Sequence, residues 1–409
     1  MAQDFGTIVI GAGSLGCSLA YHLADFGEDV LVLDKQPPGS ETTARAAGLA
    51  MQVLADDALS RISARSVQML LRFTEITGQQ LTVHRNGSIK VARIEADVPQ
   101  LEEEIRRGER LGVQISAISA AEATEHAPWL NPEAALAMWF APDDIYLTPV
   151  DLPRAFAAAA AERGATIRSG AAVTGFSTDG NRVTGVVTGD GAIPAGNVVI
   201  AAGAWTRALG QLAGIRIPLW PVRHQLIITE PVDGVEEHHA TVRIMDAKTY
   251  CRPENGGLLF GGYEPDPLDV DPRTQSANFD ISRLQLDFEP LRRKIADVAI
   301  QFPVLTTAGT ALLRGGLPTM TPDGYFIADE VPGRPGLWVL SGCNVGGVSN
   351  SPALGSDLAS WIATGSRPDD IAPFGLARFG PEFSDEGQLR LAGLATYSHK
   401  YSVDEVAVR

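Results

Sequence analysis

The residues best suited to chemistry lie in two glycine-rich loops, one near each end of the chain. The first loop, GAGSLG at Gly11–Gly16, stands between an apolar stretch and a stretch of small residues. Three glycines at this spacing allow a tight turn, close approach of a pyrophosphate to the backbone, and contact between helix and strand. A helix N-terminus after the loop would present N–H groups to phosphate oxygens. Because Asp34 ends the next apolar stretch, where a carboxylate can bind ribose hydroxyls, the pattern predicts a dinucleotide site.

The second loop reads SGCNVGGVSNSPALG and indicates which dinucleotide is bound. Ser351 and Pro352 suit the N-cap and the first position of a helix, so we expect the helix to begin there. Gly346 and Gly347 let the preceding backbone approach a flat ligand. A helix N-terminus also stabilises a ring that becomes anionic on reduction, as flavin does. With the strand and turn VVIAAGAW (Val198–Trp205), this loop favours FAD; an ordinary glycine-rich turn is the alternative.

Composition and charge exclude several classes of function. The 409-residue chain has a net charge of −16, whereas binding to nucleic acids or anionic membranes needs a basic surface. No apolar stretch approaches the roughly 18 residues needed to cross a bilayer, and the N-terminus lacks the basic leader of a signal peptide. The three cysteines, Cys17, Cys251 and Cys343, have no paired or metal-ligand spacing. We expect a cytoplasmic protein with reduced cysteines and with no nucleic acid, membrane or metal as a partner.

The elements that would position the two loops are separated along the chain. Thr7–Asp34 reads as strand, helix and strand, while residues from Pro218 to Pro265 alternate as antiparallel strands do. A charged helix is expected at Val98–Leu111, a capping-box helix start at Ser119, and a hairpin turn at Asn86-Gly87. Glycine loops at both ends with antiparallel segments between them predict a nucleotide domain assembled from separate stretches and interleaved with a substrate domain.

The ordered motifs resemble the D-amino-acid-oxidase-like family of FAD enzymes, most of all its sarcosine/dimethylglycine dehydrogenase branch. Besides the two loops, the likeness is carried by GSETTARAAGL, AAGAW, PVRHQLIITEP, YCRPENGGLLFGGYEPDP and GGLPTMTPDG, between Thr7 and about Phe379. It implies oxidation of a C–N bond in an amino acid or an N-methylated amine. The stretch after Phe379 resembles the junction where larger relatives begin a folate-binding domain, so we expect that this chain lacks that domain.

The resemblance also implies a fold of the glutathione-reductase/D-amino-acid-oxidase type, α/β plus α+β. A Rossmann-like FAD-binding domain would be built from the discontinuous segments 1–80, 150–217 and 310–409. Residues 81–149 and 218–309 would form a substrate domain dominated by a mixed or antiparallel sheet.

Two departures from the family bear on how FAD is held. The dimethylglycine branch carries its flavin covalently on a histidine, and Arg45 stands in the place of that histidine. In monomeric sarcosine oxidases a cysteine carries the flavin covalently, and the corresponding position in this chain is near Gly316. With neither nucleophile present, we expect FAD to be bound non-covalently. Arg45 would either contact the cofactor or lie at the surface.

The loops and the resemblance together predict the cofactor contacts. The predicted FAD-binding residues are Gly11, Gly13, Ser14, Leu15, Gly16, Asp34, Lys35, Thr42, Thr43, Arg45, Ala47, Gly48, Leu49, Val173, Ala202, Gly203, Trp205, Gly316, Leu317, Gly342, Asn344, Gly346, Gly347, Val348 and Ser349.

Cationic residues that relatives use with substrate or oxygen are absent. The two arginines of glycine oxidases fall at Pro318 and about Val345, and the carboxylate-binding lysine of sarcosine oxidases at about Ser349. The lysine linked to oxygen activation falls at about Phe260. A simple α-amino-acid or sarcosine oxidase is therefore disfavoured, and a dehydrogenase or a slow oxidase is favoured.

Four other residues are predicted to form the catalytic site. Tyr250 and Arg252 are two apart on a predicted strand, so they share a face, and in the family this strand faces the flavin. Arg252 is then a candidate for binding a substrate carboxylate and Tyr250 for a hydrogen bond. His224 matches an active-site histidine of the dimethylglycine branch, and Tyr263 an active-site tyrosine. Each of the four also has an ordinary structural interpretation. Arg223 and Arg314 are further candidates for the site.

The expected function is FAD-dependent oxidation of a secondary or tertiary, N-methylated amine or amino acid, by hydride transfer to flavin and hydrolysis of the iminium. The electron acceptor would be O2 or an electron-transfer partner. Two alternatives stay open: an FAD-dependent 2-hydroxy-acid dehydrogenase, and the flavin subunit of a heteromeric amine dehydrogenase. An enzyme that uses a nicotinamide without flavin is the least favoured interpretation.

Overall fold

The computed structural model describes residues 4–276 and 278–400. Residues beyond 400, on which the comparison with a folate-domain junction partly rests, lie outside the described residues. The helices are α1 Ser14–Asp25, α2 Asp57–Leu71, α3 Phe73–Thr77, α4 Val98–Leu111, α5 Ala120–His126, α6 Asp151–Glu162, α7 Thr206–Leu212, α8 Glu289–Asp297, α9 Gly347–Thr364 and α10 Glu386–Ser398.

The strands, in chain order, are β1 Phe5–Ile10, β2 Val30–Asp34, β3 Leu49–Ala50, β4 Val83–His84, β5 Ser88–Ala92, β6 Ser116–Ala117, β7 Ala137–Ala141, β8 Ile145–Leu147, β9 Thr166–Ser169, β10 Val173–Asp179, β11 Arg182–Thr188, β12 Gly191–Ile200, β13 Trp220–Pro221, β14 His224–Thr229, β15 Thr241–Ile244, β16 Thr249–Glu254, β17 Gly257–Gly262, β18 Thr310–Gly316, β19 Thr319–Met320, β20 Ile327–Glu330 and β21 Leu337–Ser341.

The first sheet joins strands from three separate parts of the chain. Its order is β10-β11-β12-β1-β2-β9, and β21 pairs with β12 and with β20. The pairs β1–β2, β1–β12, β2–β9 and β12–β21 are parallel. Parallel strands are stable when both faces are covered, and the apolar sequences of β1 and β2 are almost entirely buried. This sheet confirms the expected Rossmann-like domain built from discontinuous segments.

The second sheet is mixed, in the order β18-β14-β17-β16-β15-β5-β7-β6. Only the contact between β15 and β5 is parallel among its pairs in the described residues. Side chains alternate between its faces, so Val242, Cys251 and Phe260 pack on one core with residues such as Leu291 of α8. The opposite face carries His224, Tyr250 and Arg243, which border a cavity. The prediction of a mixed or antiparallel second sheet is confirmed.

One local expectation is wrong because of long-range strand pairing. The predicted Asn86-Gly87 hairpin does not form, because β4 pairs with β8 whereas β5 pairs with β7 and β15. Gly87 does adopt a left-handed conformation, with φ of 75°. Thr310–Gly316, which the predicted division places in the FAD-binding domain, pairs with β14 in the second sheet. The domain division stays a prediction, and we would place its last boundary after Gly316.

The helices α1 and α9 begin at the two glycine loops and pack closely on one another. The Oγ of Ser18 donates a hydrogen bond of 2.8 Å to the carbonyl of Ser351. A Cβ on Gly355 would lie 2.4 Å from Ser18 Oγ and 2.8 Å from the backbone nitrogen of Leu19. Only glycine allows this approach, which sets the two loops side by side.

Replacement of Gly355 by alanine should destabilise the protein. The added methyl group would collide with the backbone of α1 and force the helices apart, at a cost of about 1–3 kcal/mol in the free energy of unfolding. Gly189→Ala is the matched control, because a Cβ there has no neighbour within 4 Å and φ is not in the left-handed range. Urea unfolding of both variants measures the effect, and equal midpoints would contradict the packing argument.

Candidate active site

A cavity of about 440 Å³ runs from the first glycine loop to the inner face of the second sheet. All the predicted cofactor residues except Gly16 and Gly342 line it, as do His224, Tyr250 and Tyr263. Gly16 and Gly342 are instead required by the local backbone conformation and packing. A Cβ on Gly16 would lie 1.9 Å from the carbonyl oxygen of Gly11, and Gly342 has φ of 63°. The structure therefore brings the two predicted sites together in one space.

The nucleotide end of the cavity faces the N-terminus of α1. Gly13 is the N-cap, no side chain caps the helix, and the first turn holds no acidic residue. A Cβ on Gly13 would have only the Oγ1 of Thr43 within 4 Å, at 3.4 Å. The positive end of the helix is thus open to an anion, which fits the pyrophosphate of a dinucleotide.

Asp34 lies at the end of β2, where β2 opens into the cavity. One oxygen accepts a hydrogen bond of 2.6 Å from the Ala12 N–H and the other a bond of 2.8 Å from the Gln36 N–H. Burial raises the pKa of the Asp34 carboxyl, and these N–H groups oppose that rise. The side chain braces the glycine loop and keeps further lone pairs for ribose hydroxyls.

The second loop presents the N-terminus of α9 to the same cavity. The helix begins at Gly347, so the expected start at Ser351-Pro352 is wrong. Pro352 is tolerated inside the helix because the carbonyl it cannot bond, that of Val348, accepts the Ser351 hydroxyl at 3.1 Å. Asn344 and Val345 before the helix have φ of 42° and 67°. For a β-branched residue this conformation is strained, and such strain is typical of functional loops.

These features fit FAD. One open helix N-terminus suits the pyrophosphate and Asp34 the ribose, while the uncapped N-terminus of α9, again without an acidic residue in its first turn, suits the redox ring. Arg45 lines the cavity with its Nη1 bonded to the carbonyls of Ser40 and Glu41. We propose that the predicted residues that line the cavity hold FAD.

The substrate end is built on one row of cross-strand neighbours in the second sheet. Leu226, Gly261, Tyr250 and Arg243 stand opposite one another on β14, β17, β16 and β15. A Cβ on Gly261 would lie 2.2 Å from the Tyr250 hydroxyl, so the missing side chain lets the Tyr250 ring cross the sheet to His224. Register and one glycine therefore set the position of the hydroxyl.

His224 is held between two tyrosine hydroxyls. Its Nε2 lies 2.6 Å from the Tyr250 oxygen and its Nδ1 lies 2.7 Å from the oxygen of Tyr397, on α10. The ring is 5.1 Å from that of Tyr263. Burial lowers the pKa of His224 from its ordinary 6.5 to about 4, so the imidazole is neutral near pH 7. One ring nitrogen then donates and the other accepts, which makes Tyr250, His224 and Tyr397 a continuous hydrogen-bonded chain.

Arg252 is the one predicted catalytic residue that the structure does not bring to the cavity. It shares the sheet face with Tyr250, yet its Nη1 forms an ion pair of 2.5 Å with Glu254 and its Nε donates to the carbonyl of Ala47 at 2.8 Å. This placement departs from the expectation that it binds a substrate carboxylate. The two further candidates are also engaged, Arg223 with Glu264 at 3.2 Å and Arg314 with Glu254 at 4.0 Å.

Three residues of the cavity region were missed by the sequence reasoning. Tyr397 bonds to His224 from an α-helix far along the chain, and no local pattern marks it. Arg243 lines the cavity from the apolar strand β15, where a lone charge in ATVRIM was a usable signal. Lys400 also lines it and donates to the carbonyl of Asn344 at 3.1 Å; burial lowers its pKa to about 8. Phe260, by contrast, lies in the core on the far face of the sheet.

Two classes of site are not found in residues 4–276 and 278–400. No group of three His, Cys, Asp or Glu side chains is arranged to bind a metal ion. None of the helices in this part of the chain combines the length and hydrophobicity that crossing a bilayer demands.

Comparison with known proteins agrees with this geometry. Residues 7–361 match the family model DAO, described as FAD dependent oxidoreductase. The chain is 29% identical over 389 residues to 4-methylaminobutanoate oxidase (formaldehyde-forming) of Paenarthrobacter nicotinovorans, covering 94% of this chain and 47% of that protein. It is 30% identical over 404 residues to the mitochondrial sarcosine dehydrogenase of Homo sapiens, covering 97% and 44%. The chain thus spans less than half the length of these curated relatives.

Among solved structures, L-proline dehydrogenase from P. horikoshii superposes with a TM-score of 0.83 at 26% identity, covering 92% of this chain and 97% of that one. The likeness expected from the sequence motifs is confirmed.

Gly13→Ala should weaken FAD binding without unfolding the protein. Its methyl group meets only a side-chain oxygen at 3.4 Å in the protein, but it enters the space in front of the α1 N-terminus. We expect the dissociation constant for FAD to rise about 10- to 100-fold, which corresponds to the free-energy cost of a methyl group that crowds the bound cofactor. Fluorescence titration of the FAD-free protein measures it, with Gly189→Ala as control; unchanged affinity would show that phosphate does not lie at Gly13.

His224→Gln should reduce the loss of stability in mild acid. Because the native pKa is about 4 and the unfolded value 6.5, the unfolded state binds the extra proton between those values, so stability falls as pH falls. From about pH 7 to about pH 5 native protein should lose about 2 kcal/mol more than a variant whose amide can still bond both tyrosines. Urea unfolding at both pH values tests this, and parallel losses would mean that His224 is not buried as a neutral ring.

Proposed function

The chain belongs to the DAO family of FAD-dependent oxidoreductases, and from that premise we propose that it oxidises the C–N bond of a secondary or tertiary, N-methylated amino acid or amine. The names of two relatives support this: one is an oxidase of 4-methylaminobutanoate and the other a dehydrogenase of sarcosine. Both names denote N-methylated amino acids. The observation within this chain that carries the proposal is the neutral His224 held between Tyr250 and Tyr397 beside the cavity.

FAD, when bound, supplies the two-electron acceptor for this oxidation. The chain's own residues prepare the amine. An amine loses electrons readily only as the free base, because its lone pair stabilises the cation that forms at the α-carbon. The cavity favours the free base by desolvation, and its aromatic wall of Tyr250 and Tyr263 stabilises a cation that develops against it. Since His224 stays neutral, it adds no positive charge to oppose that cation.

The hydrogen-bonded chain fixes the position of a hydroxyl group beside the place proposed for the amine. Tyr250 lines the cavity, and its oxygen is bonded to His224 Nε2. Because the pKa of His224 is about 4, the ring does not take up the amine proton; the amine loses that proton to solvent and binds as the free base, and the Tyr250 oxygen is placed to hydrogen-bond its nitrogen. Tyr397 orients the ring from the opposite nitrogen and is thus a positioning residue. Water then hydrolyses the iminium to a carbonyl compound and the shortened amine.

FAD is proposed to be held without a covalent bond. Arg45 and Gly316, which line the cavity where relatives place a nucleophile, have no nucleophilic side chain. Both nitrogens of His224 are engaged in hydrogen bonds. Cys343 also lines the cavity, and its sulfur accepts a bond of 3.4 Å from the Thr319 N–H. O2 or an electron-transfer partner is proposed as the final acceptor.

Anaerobic mixing of the FAD-loaded protein with substrate candidates distinguishes this function from its alternatives. Sarcosine, dimethylglycine or 4-methylaminobutanoate should bleach the visible absorption of the flavin, whereas 2-hydroxy acids such as lactate should leave it unchanged. Bleaching only by hydroxy acids would replace the proposal with C–O oxidation. Bleaching by neither class, in protein that dithionite reduces normally, would reject catalysis by this chain alone and favour a subunit of a larger dehydrogenase.

A further inference from the structure

We propose that Arg243 binds the carboxylate of the substrate, so that the enzyme selects N-methylated amino acids over amines that lack a carboxylate. The inference rests on the proposed amine oxidation at this cavity. It adds to that function the residue that recognises the substrate and the charge that the substrate must carry.

Arg243 is the exception among the buried cations. Four other lysine and arginine side chains are buried in the described residues, and each has a carboxylate within 4 Å. These pairs are Lys90–Glu104, Arg207–Asp271, Arg223–Glu264 and Arg252–Glu254. Arg243 is 5% exposed and forms no ion pair in residues 4–276 and 278–400, and its Nε and Nη1 have no hydrogen-bond partner there. A buried, unpaired charge is costly, so a compensating anion is to be expected.

The position of Arg243 suits a ligand in the cavity. Arg243 lines the cavity and stands directly opposite Tyr250 in the β15–β16 pair. Directly opposed residues project from the same face of a sheet, at neighbouring positions. A substrate that places its nitrogen at Tyr250 therefore has its next substituents within the space that Arg243 borders.

Asp144, the carboxylate whose charge interacts with that of Arg243, already accepts hydrogen bonds from other residues. Asp144 accepts hydrogen bonds from the Gln52 N–H, at 2.9 Å, and from the Ser88 hydroxyl. The charge of Arg243 lowers the pKa of Asp144, which burial raises to about 6, but the two side chains do not come within ion-pair distance. Lys400 lies on the same cavity, and Arg243 contributes to the lowering of its pKa. Besides Lys35 and Arg45, the cavity thus carries Arg243 and Lys400, and the field of these two cations attracts an anionic ligand.

A bound carboxylate would also favour the chemistry. Without it, the guanidinium of Arg243 would oppose a cation forming on the neighbouring nitrogen. A carboxylate on the guanidinium removes that opposition and fixes the orientation of the amine relative to Tyr250. Amines without a carboxylate gain neither effect.

Binding of inert carboxylates to the FAD-loaded protein tests the proposal without turnover. Methoxyacetate and 4-methoxybutanoate have a carboxylate but no C–N bond, and their binding is followed by the shift in the flavin spectrum. For the tighter of the two, Arg243→Met should raise the dissociation constant about 100-fold or more and Arg243→Lys about 10-fold. Arg85→Met, which removes an exposed arginine paired with Asp143, is the control for net charge and should leave it unchanged.

Paired substrates separate recognition of the carboxylate from oxidation itself. Native protein should be reduced faster at low concentrations by sarcosine than by its uncharged amide, and by 4-methylaminobutanoate than by N-methylbutylamine. In Arg243→Met this preference should disappear, with the loss in KM and not in the limiting rate of reduction. If no amine reduces the native protein, the proposed function fails, whereas the titration with inert carboxylates still reports on Arg243.

Thermal stability identifies a purely structural role. Since Arg243 has no ion-pair partner in the part of the chain that the structure describes, Arg243→Met without added carboxylate should melt at the native temperature or above it. Two results would overturn the proposal: unchanged carboxylate binding in Arg243→Met, or a large fall in its melting temperature together with equal losses for charged and uncharged substrates.

Discussion

The close packing of α1 against α9 is the constraint on which the site depends. Each helix begins at a glycine loop, and the two loops lie far apart in the sequence. Gly355 lets the helix backbones meet, and the bond from Ser18 to the Ser351 carbonyl ties them together. Two positive helix ends therefore border one cavity, which is what a cofactor with an anionic pyrophosphate and an electron-accepting ring requires. The second sheet then closes the cavity with its substrate-facing side.

That side of the sheet carries a neutral group, His224, and a cationic group, Arg243. Burial keeps His224 neutral, and its two tyrosine partners satisfy both nitrogens, so His224 adds no positive charge where we propose that the amine binds. Arg243, the neighbour of Tyr250 across the strands, forms no ion pair within residues 4–276 and 278–400, and its Nε and Nη1 have no hydrogen-bond partner there. A zwitterionic amino acid complements both features at once: its carboxylate meets the arginine and its nitrogen meets the aromatic wall.

Much of this could be predicted from sequence wherever the signal is local. The glycine fingerprint, the limits of α4 and the capping box at Ser119 follow from short-range spacing, and all three appear in the structure. The hairpin at Asn86-Gly87 failed because strand pairing is decided by partners far along the chain. Tyr397 and Arg243 could not be predicted for the same reason, because their proposed roles depend on tertiary contacts with His224 and Tyr250. The ion pair of Arg252 with Glu254 could not be predicted, because it depends on a side-chain conformation that spacing does not reveal.

The central claim is that the two glycine loops hold FAD in this cavity without a covalent bond. The most direct test is the colour of the purified native protein before and after acid precipitation. The account predicts a yellow protein with about one FAD per chain and full release of the flavin into the supernatant. Colourless protein that does not take up added FAD would contradict the whole account, and yellow colour retained in the pellet would contradict the non-covalent binding.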